Sequence, residues 1–399
     1  MSDKKNESQK SGWRQVKFGD VVRQCKVRVD PETSGLERYI AGDHMDTDDL
    51  RLRRWGEIGS GYLGPAFHIR FKPGQVLYGS RRTYLRKVAV ADFEGICANT
   101  TFVLEPKNHE LLPEFLPFLM QTEAFNAFSV KNSKGSVNPY INFSDLERFE
   151  FALPPLGEQS KIAFQLSSAD ELLYELEAAQ LSLGNLERSA IQAVLGNEDE
   201  WRMTTMKSIV KRIDAGKSPK ASSLPAEPHE AGVLKVSAIG AQGYCPEENK
   251  ALLNPVDFVI EATVQSGDFL VTRANAQHQG VARTCVVEST PSNLMLSDKT
   301  WRLNFTDDAP PNRFTLAWTK LPKFRAYIEA LCSGTEAKNI SQEKFLAGPM
   351  VELDRRQQEE IDQMLRQTDL SRKALEERKR VSASMKHALL ARALGEAAK

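Results

Sequence analysis

Basic residues are concentrated between positions 51 and 90, where the chain carries nine lysines and arginines against a single acid, Glu57. The aromatic residues Trp55, Tyr62, Tyr78 and Tyr84 lie among them. Cationic side chains mixed with aromatic rings are typical of surfaces that contact nucleic-acid phosphates. A second basic cluster opens the other half of the chain and comprises Arg202, Lys207, Lys211, Arg212, Lys217 and Lys220, with Asp214 as its acid. A solvated charged face would explain either cluster alone, but their recurrence favours nucleic-acid binding.

Two loops carry side chains suited to reading bases. The sequence "GSRRTYLRK" begins at Gly79 and "TRANAQHQG" begins at Thr272, each directly after an apolar segment with strand character. Arg, Asn and Gln can hydrogen-bond twice to one base edge, so loops alike in position but different in content predict that two different short sequences are read. The expected DNA-contacting residues are Arg51, Arg53, Arg54, Ser80, Arg81, Arg82, Tyr84, Arg86, Lys87, Lys211, Lys217, Arg273, Asn275, Gln277, His278 and Gln279.

Motifs for catalysis or cofactor binding are weak in this chain. The sequence "GSGYLG" at Gly59 matches the G-x-G-x-x-G pattern, but a cofactor loop needs a strand before it, a helix after it and an acid about twenty residues further on. Arg81 and Arg82 stand where that acid would be. The sequence "VNPYIN" at Val137 lacks the second proline of an amino-methyltransferase signature, and no Walker loop occurs. We therefore expect no cofactor and no catalytic residue.

Cysteines and histidines are not spaced as metal ligands. The five cysteines are far apart without a C-x-x-C pair, and the six histidines show no ligand spacing. Acidic and basic residues balance at 53 each in 399 residues, and the chain opens on a polar stretch. No apolar run reaches the roughly eighteen residues that a membrane span requires. The composition predicts a cytoplasmic protein of two or more domains without metal site, disulfide framework or membrane contact.

The elements that would position the basic residues occur twice. The segment "GWRQVKFGDVV" at Gly12 aligns without a gap with "EWRMTTMKSIV" at Glu200, and "GQVL" at Gly74 matches "GDFL" at Gly267. Two apolar helical segments come next, "LLPEFLPFLMQTEAFNAFSV" and "RFTLAWTKLPKFRAYIEALC". A further match pairs "PPLGEQSKIAFQL" with "VELDRRQQEEIDQML". Because the order is kept throughout, we predict two diverged copies of one mixed α/β unit, each followed by a long helix.

The long helices carry a pattern of their own. From Glu158 to Leu195 apolar residues recur three or four positions apart, which is typical of a coiled-coil stripe, and Gly196 follows. The second helix has a weaker stripe because its middle is polar at Thr368 and Arg378. Two independent surface helices would also fit, but the matched lengths favour mutual packing. At about 1.5 Å per residue each helix would span roughly 55 to 60 Å, so we expect a spacer that holds the two globular halves apart.

With these features together, the chain resembles the specificity subunit of type I restriction-modification enzymes over essentially its whole length. The resemblance rests on "KPGQVLYGSRRTYLRKVAVADFEGICANTTFVLEP", "SKGSVNPYINFSDLERFEFALPPLGEQSKI" and "CSGTEAKNISQEKFLAGPMVELDRRQQEEI", and on the helix after each of the last two. It implies two target-recognition domains, residues 11–157 and 198–354, and two conserved-region long helices, residues 158–197 and 355–397, packed as an antiparallel coiled coil. The second copy departs from the pattern, since "MVELDRRQQ" stands where the family prefers a proline-rich junction.

The resemblance further implies a DNA-recognition role without catalysis of its own. Each domain would read one half of a split site on double-stranded DNA. The helices would set the distance between half-sites and bind methyltransferase subunits, two in number, and through them a motor-nuclease subunit. A protein-binding scaffold with a coiled-coil spacer and no sequence-specific DNA reading is the alternative, but it leaves both basic clusters unexplained.

Overall fold

The computed structural model describes residues 12–241, 243–332 and 338–394. The predicted domain limits at residue 11 and at residues 395–397 lie outside these ranges. The chain divides into two units, one formed by Met1–Ala178 with Glu376–Lys399 and the other by Ala179–Leu375. Both units mix strands and helices, so the predicted two-domain α/β fold is confirmed.

The first unit combines two four-stranded sheets with short helices. Its strands are β1 (Arg14–Lys17), β2 (Val22–Cys25), β3 (Arg38–Ile40), β4 (Gly56–Glu57), β5 (Phe67–Phe71), β6 (Val76–Gly79), β7 (Val88–Val90), β8 (Gly95–Ala98), β9 (Thr101–Pro106) and β10 (Glu150–Leu153). Its helices are α1 (Phe18–Val21), α2 (Leu116–Met120), α3 (Glu123–Lys131), α4 (Phe143–Leu146) and the first part of the long α5 (Leu156–Leu195). The sheets have the strand orders β2-β9-β6-β7 and β4-β3-β8-β5, and β1 pairs with β10.

The second unit repeats the main sheet and adds smaller ones. Its strands are β11 (Met203–Thr205), β12 (Val210–Ala215), β13 (Gly232–Leu234), β14 (Ile239–Gly240), β15 (Gly243–Tyr244), β16 (Asn249–Ala251), β17 (Phe269–Thr272), β18 (Ala274–Asn275), β19 (Thr284–Val286), β20 (Leu294–Met295), β21 (Thr300–Phe305), β22 (Lys338–Asn339) and β23 (Pro349–Val351). Its helices are α6 (Asn312–Trp318), α7 (Pro322–Leu331), α8 (Gln342–Leu346) and the first part of the long α9 (Arg355–Leu394). The sheet orders are β12-β21-β17-β19 and β16-β13-β20, with the pairs β11-β23, β14-β15 and β18-β22.

The main sheets of the two units share one strand order and one register. β6 lies between β9 and β7, and β17 lies between β21 and β19, all antiparallel. Val76 pairs with Leu104 in the first unit, and Phe269 pairs with Leu303 in the second. Every residue of β6 and of β17 is buried, as expected of continuous apolar strands covered on both faces. The repeat predicted from the sequence therefore extends to the pairing of individual residues.

Each predicted apolar helix after the main sheet is in fact two short helices. Thr122 separates α2 from α3, because its hydroxyl accepts a hydrogen bond from the Phe125 N–H at 3.2 Å and so caps α3. In the second unit Pro322 occupies the first turn of α7, where its missing N–H costs nothing. A helix start signal inside each apolar run thus overrides its helical periodicity.

The glutamine repeated near the start of each long helix ties that helix to its unit. Gln159 is fully buried; its amide donates to two backbone carbonyls at 2.7 and 2.8 Å, and its Oε1 accepts from the Leu112 N–H at 2.8 Å. Gln358 is half-buried and repeats one of these bonds, donating to the Leu353 carbonyl at 3.1 Å. The shared sequence pattern thus reflects a helix start that is docked tightly in one copy and loosely in the other.

Within each unit a segment of α5 runs antiparallel to a segment of α9. In the first unit Lys379 Nζ lies 2.8 Å from Glu177 Oε1, and Lys386 pairs with Asp170. In the second unit Arg372 pairs with Glu187, and the Gln357 amide donates to the Val194 carbonyl at 3.4 Å. In both cases the residue number rises along one helix as it falls along the other.

Each unit has a core that includes the beginning of one long helix. Leu166 of α5 is buried with Phe151 and other apolar residues of the first unit. Leu365 of α9 is buried with Trp318 and the apolar residues of the second. Because burying a large apolar side chain stabilises a fold by about 1.5–3 kcal/mol, the helix starts are integral parts of the two cores.

Candidate nucleic-acid interface

The loop formed by residues 80–87, called the first loop, connects β6 to β7. Its base is closed because the Gly79 N–H donates to the Lys87 carbonyl at 3.0 Å, and its side is held because the Ser80 N–H donates to the Thr100 carbonyl at 3.0 Å. The backbone of Arg86 is left-handed, with φ 51°. Backbone bonds therefore anchor the first loop to the main sheet.

Residues 273–283, called the second loop, occupy the same place between β17 and β19. The Thr272 N–H donates to the Arg283 carbonyl at 2.9 Å, and the Arg273 N–H donates to the Lys299 carbonyl at 2.8 Å. Ala282 has φ 52°, as Arg86 has at the matching position. The two loops thus share their anchors, while the second is eleven residues long and the first is eight.

A third segment lies beside each loop. The Ile141 N–H donates to the Ser80 carbonyl at 3.0 Å, and the Ile340 N–H donates to the Arg273 carbonyl at the same distance. In the first unit Tyr140 forms an isolated antiparallel bridge with Arg81, and its side chain is exposed. The sequence does not predict Tyr140 as a contact, because it is distant from the loop along the chain and only the "VNPYIN" motif marks it.

Two predicted DNA contacts, Arg51 and Arg53, face α5 instead. Arg51 Nη2 lies 2.6 Å from Glu171 Oε2, and its guanidinium lies 3.8 Å from the centre of the Tyr174 ring. Arg53 Nη2 lies 2.9 Å from Glu177 Oε2. Carboxylates and an aromatic face thus balance both cations, so these side chains hold the segment before β4 on the helix.

Arg86 anchors the first loop from its side chain. Arg86 Nε lies 2.8 Å from Asp48 Oδ1, another guanidinium nitrogen pairs with Glu123, and Nη2 donates to the Gln121 carbonyl at 2.7 Å. Burial by itself lowers the pKa of Arg86, but the bonds to Asp48 and Glu123 outweigh it and leave the pKa above its ordinary value. All three nitrogens of this guanidinium are used inside the protein.

Four more predicted residues have partners within the first unit. The Ser80 hydroxyl is buried and donates to the Thr100 carbonyl at 2.7 Å. Arg82 Nε donates to the side-chain oxygen of Asn138 at 2.9 Å. Lys87 donates to a backbone carbonyl, and Arg54 pairs with a nearby carboxylate. Among these four, Ser80 has the least capacity left for DNA.

The remaining predicted residues divide into free and occupied side chains. Asn275 is half-buried, and its Oδ1 accepts from the Gln277 N–H at 3.0 Å. The side chain of His278 lies outside the described part of the structure. Among the predicted contacts, the exposed side chains for which the described structure shows no hydrogen-bond or ion-pair partner are Arg81, Tyr84, Lys211, Lys217, Arg273, Gln277 and Gln279.

Backbone irregularities present the two free lysines of the second unit. Lys211 is the extra residue at a β-bulge, where the pairing of β12 with β21 shifts between Val210 and Arg212. Lys217 follows Gly216, where a Cβ would lie 1.9 Å from the Leu296 carbonyl oxygen. Only glycine permits that close approach, and it fixes the path of the chain into Lys217.

Among the described residues, the glycine motif and the possible metal ligands show no arrangement suited to a cofactor or metal. The "GSGYLG" segment lies in the irregular connection between β4 and β5, so a strand and not a helix follows it. In the described ranges, no group of three His, Cys, Asp or Glu side chains is placed to hold a metal ion. None of the helices described is both long and apolar enough to cross a membrane.

Residues 46–183 match the family model of the type I restriction modification DNA specificity domain. The type I restriction enzyme EcoEI specificity subunit of Escherichia coli is 30% identical over 195 residues, which are 46% of this chain and 33% of that protein. The MjaVIII specificity subunit of Methanocaldococcus jannaschii is 22% identical over 82% of this chain and 79% of its own. The matched segment thus spans only about a third of the E. coli relative.

Solved structures share the fold over nearly the whole chain. The crystal structure of a type I restriction-modification system S subunit from M. genitalium has a TM-score of 0.54 at 14% identity, with 98% of each chain covered. That likeness concerns the fold alone. In sequence the chain is therefore similar to specificity subunits of type I restriction-modification enzymes, and residues 46–183 carry the match to their DNA specificity domain.

Proposed function

We propose that this protein is the DNA sequence-recognition subunit of a type I restriction-modification complex, in which each unit reads one part of a bipartite site on double-stranded DNA. The observation that carries the proposal is the pair of loops that share backbone anchors but present different free side chains. Arg81 and Tyr84 are free in the first loop, and Arg273, Gln277 and Gln279 are free in the second. Such side chains can pair with base edges or stack on them.

The predicted contacts are assigned different parts in this proposal. Arg81 and Arg273 read bases or contact phosphates at the loops, with Tyr140 beside the first. Lys211 and Lys217 contact phosphates. Arg51, Arg53 and Arg86 position the DNA-facing segments from inside the unit, because their charges are already paired.

Assembly is proposed to use the long helices. Each is 40 residues long, and each carries exposed apolar side chains in spite of its packing. Phe164 is 73% exposed in the first unit and Leu181 is 74% exposed in the second. We propose that these faces bind methyltransferase subunits, through which a motor-nuclease subunit joins the complex in the cytoplasm.

The subunit is proposed to be non-catalytic, with helix length setting the distance between the half-sites. A cofactor titration of the purified chain tests the first point, because S-adenosylmethionine binding by calorimetry would contradict it. Phe164→Asp tests the assembly surface, since it should weaken binding of methyltransferase subunits while leaving thermal unfolding unchanged.

The free arginines provide the test of DNA reading. Methylation sites of the complete system are mapped first, and binding of the assembled complex is then measured across salt concentrations. If Arg81 reads a base, Arg81→Ala costs about 1–3 kcal/mol and relaxes one position of the first half-site, whereas a phosphate contact lowers the salt slope by about one. Arg273→Ala should do the same for the second half-site only.

Arg14 provides the matched control, because it is an exposed arginine of the small β1–β10 sheet and is paired with Glu110. Arg14→Ala should leave affinity, salt slope and specificity unchanged. Unchanged binding by the Arg81→Ala, Arg273→Ala double variant would contradict the proposal. It would favour a protein-binding scaffold, as would filter binding that shows no sequence preference with partners present.

A further inference from the structure

A cavity of about 210 Å³, partly open to solvent, lies in the first unit, where α3 and the base of the first loop face the paired segments of α5 and α9. Its apolar wall includes Leu173 of α5 together with Ala383 and Leu390 of α9. A cavity of about 150 Å³ is enough for benzene. The space in the first unit is therefore large enough for a small bicyclic molecule.

One buried polar atom in the wall of the cavity has no partner. Gln121 is 3% exposed and lines the cavity, and its Oε1 accepts no hydrogen bond. The amide orientation is determined, because Nε2 donates to the Asp48 carbonyl at 3.0 Å and the reversed amide would set two oxygens together. An unsatisfied buried acceptor is costly, so the cavity suits an occupant that donates a hydrogen bond.

The charged groups around the cavity are already paired. Arg86 is bound by Asp48, Glu123 and a backbone carbonyl, and Lys386 pairs with Asp170. Apart from the exposed imidazole of His387, no lining side chain is left to balance a phosphate or carboxylate group, and both lining carboxylates have a guanidinium partner. The wall accordingly favours a neutral occupant.

The second unit has charged side chains in the corresponding place. Gln121 precedes the N-cap of α3, and Lys320 precedes the N-cap of α7. Leu173 corresponds to Arg372, because both long helices have 40 residues and begin with the same glutamine pattern. Desolvation of the Lys320 amine lowers its pKa. The charged groups near this amine are Arg372, Glu187 and Asp369, and part of the residue remains exposed.

The first unit contains a second unpartnered polar atom because it has Leu173 where the second unit has Arg372. Asp170 Oδ2 is buried without a hydrogen bond in the first unit. Its counterpart Asp369 accepts from Arg372 Nη1 at 2.7 Å. Leu173 cannot make the bond that Arg372 makes, so the first unit has both an empty volume and an unused acceptor where the second unit has an ion pair.

We propose that this cavity is a binding site for a small neutral molecule with an apolar body and one N–H or O–H donor. Gln121 Oε1 accepts the hydrogen bond from that donor. The site belongs to the first unit alone, and it is independent of DNA reading. Its occupant touches Arg86, the side chain that anchors the first loop.

Indole is the probe, because it combines an apolar bicyclic body with one N–H. Its binding to the full chain is measured by ligand-observed NMR and compared with that of indene, which has the same shape without the donor. We expect indene to bind about five- to tenfold more weakly, as one hydrogen bond to a buried acceptor requires. Equal binding of the two compounds would overturn the proposal.

Leu173→Arg places in the first unit the residue that the second unit carries. The new guanidinium should pair with Asp170 Oδ2 and fill the cavity, so indole binding should weaken more than tenfold. Leu172→Arg, at an exposed neighbouring position, is the matched control and should leave it unchanged. Should Leu173→Arg not fold, Gln121→Lys fills the space from the other side with the same expected loss. Retention of binding in the folded cavity-filling variant would refute the site.

Discussion

The repeat is preserved closely in the main sheets of the two units but is lost in the spaces around them. Ser80 and Arg273 begin the two loops with the same backbone bonds, though one side chain is buried and the other exposed. Leu173 and Arg372 occupy equivalent helix positions, yet one borders a cavity and the other makes ion pairs. Backbone bonding can keep a loop in place while its side chains change, as the proposed reading of two different sequences requires.

The sharpest test of the comparison concerns the two helix-starting glutamines. Gln159→Ala should lower the stability of the first unit by about 3 kcal/mol, because it leaves buried backbone groups without partners. Gln358→Ala removes one bond from a half-buried site and should cost the second unit less than about 1 kcal/mol. Hydrogen exchange resolved by peptide measures both. Equal losses would mean that the helix starts are docked alike.

Arg86 has a smaller expected effect on the same unit. Arg86→Met keeps the stem of the side chain but leaves Asp48 and Glu123 without their cation, so the first unit should lose about 2 kcal/mol. Arg81→Met, in the same loop, should change stability by less than about 0.5 kcal/mol because its side chain is free. Urea unfolding compares the two variants. A larger loss from Arg81→Met would reverse the assignment of anchor and DNA contact.

The helix breaks after the main sheets can be compared through their caps. Thr122→Ala should cost about 1 kcal/mol because it removes the side-chain cap of α3, whereas Thr122→Ser should keep most of that stability. The second unit starts α7 with Pro322 and has no side-chain cap bond at this point. Exchange in α3 should therefore rise while exchange in α7 stays the same. Unchanged exchange in α3 would contradict the assignment of the Thr122 cap as the cause of the break between α2 and α3.

The smallest expected difference between the units is in the acid dependence of stability at α4 and α8. The hydrogen bond from Lys134 lowers the pKa of Asp145 below its ordinary value, and the position equivalent to Asp145 in the second unit is Lys344. Because the folded pKa is depressed, the contribution of Asp145 is complete above the ordinary aspartate pKa and is lost as pH falls from there through the lower pKa of the folded state. Asp145→Asn should remove this part of the pH dependence in the first unit. Identical acid profiles for variant and parent would contradict it.

Sequence patterns were sufficient for the repeat, the buried strands β6 and β17 and the two long helices. Those elements follow from apolar periodicity and turn residues within each segment, so they can be predicted without knowing its distant neighbours. The fate of each arginine could not be predicted in the same way. Arg51 pairs with Glu171 and Arg86 pairs with Glu123, so their partners are distant in sequence and only the folded unit identifies which cations remain free.

The cavity was beyond prediction for a related reason. It results from a difference between two equivalent positions, Leu173 and Arg372, whose neighbours come from four separate segments. An apolar residue on a helix stripe is expected in a core, and nothing in its own surroundings indicates that it leaves a gap. Comparison of the two copies reveals the cavity only when the positions of the antiparallel helix segments within each unit are known.

The division of the long helices has a consequence for synthesis on the ribosome. The second unit is continuous in sequence, whereas the first needs Glu376–Lys399 in addition to Met1–Ala178. Leu389 and Leu390 pack against the core of the first unit, so that core is incomplete while roughly 200 further residues are added, about 10 to 40 s at ordinary elongation rates. The unit that is translated first is therefore the last to be finished, and its exposed apolar surface must be protected during that interval.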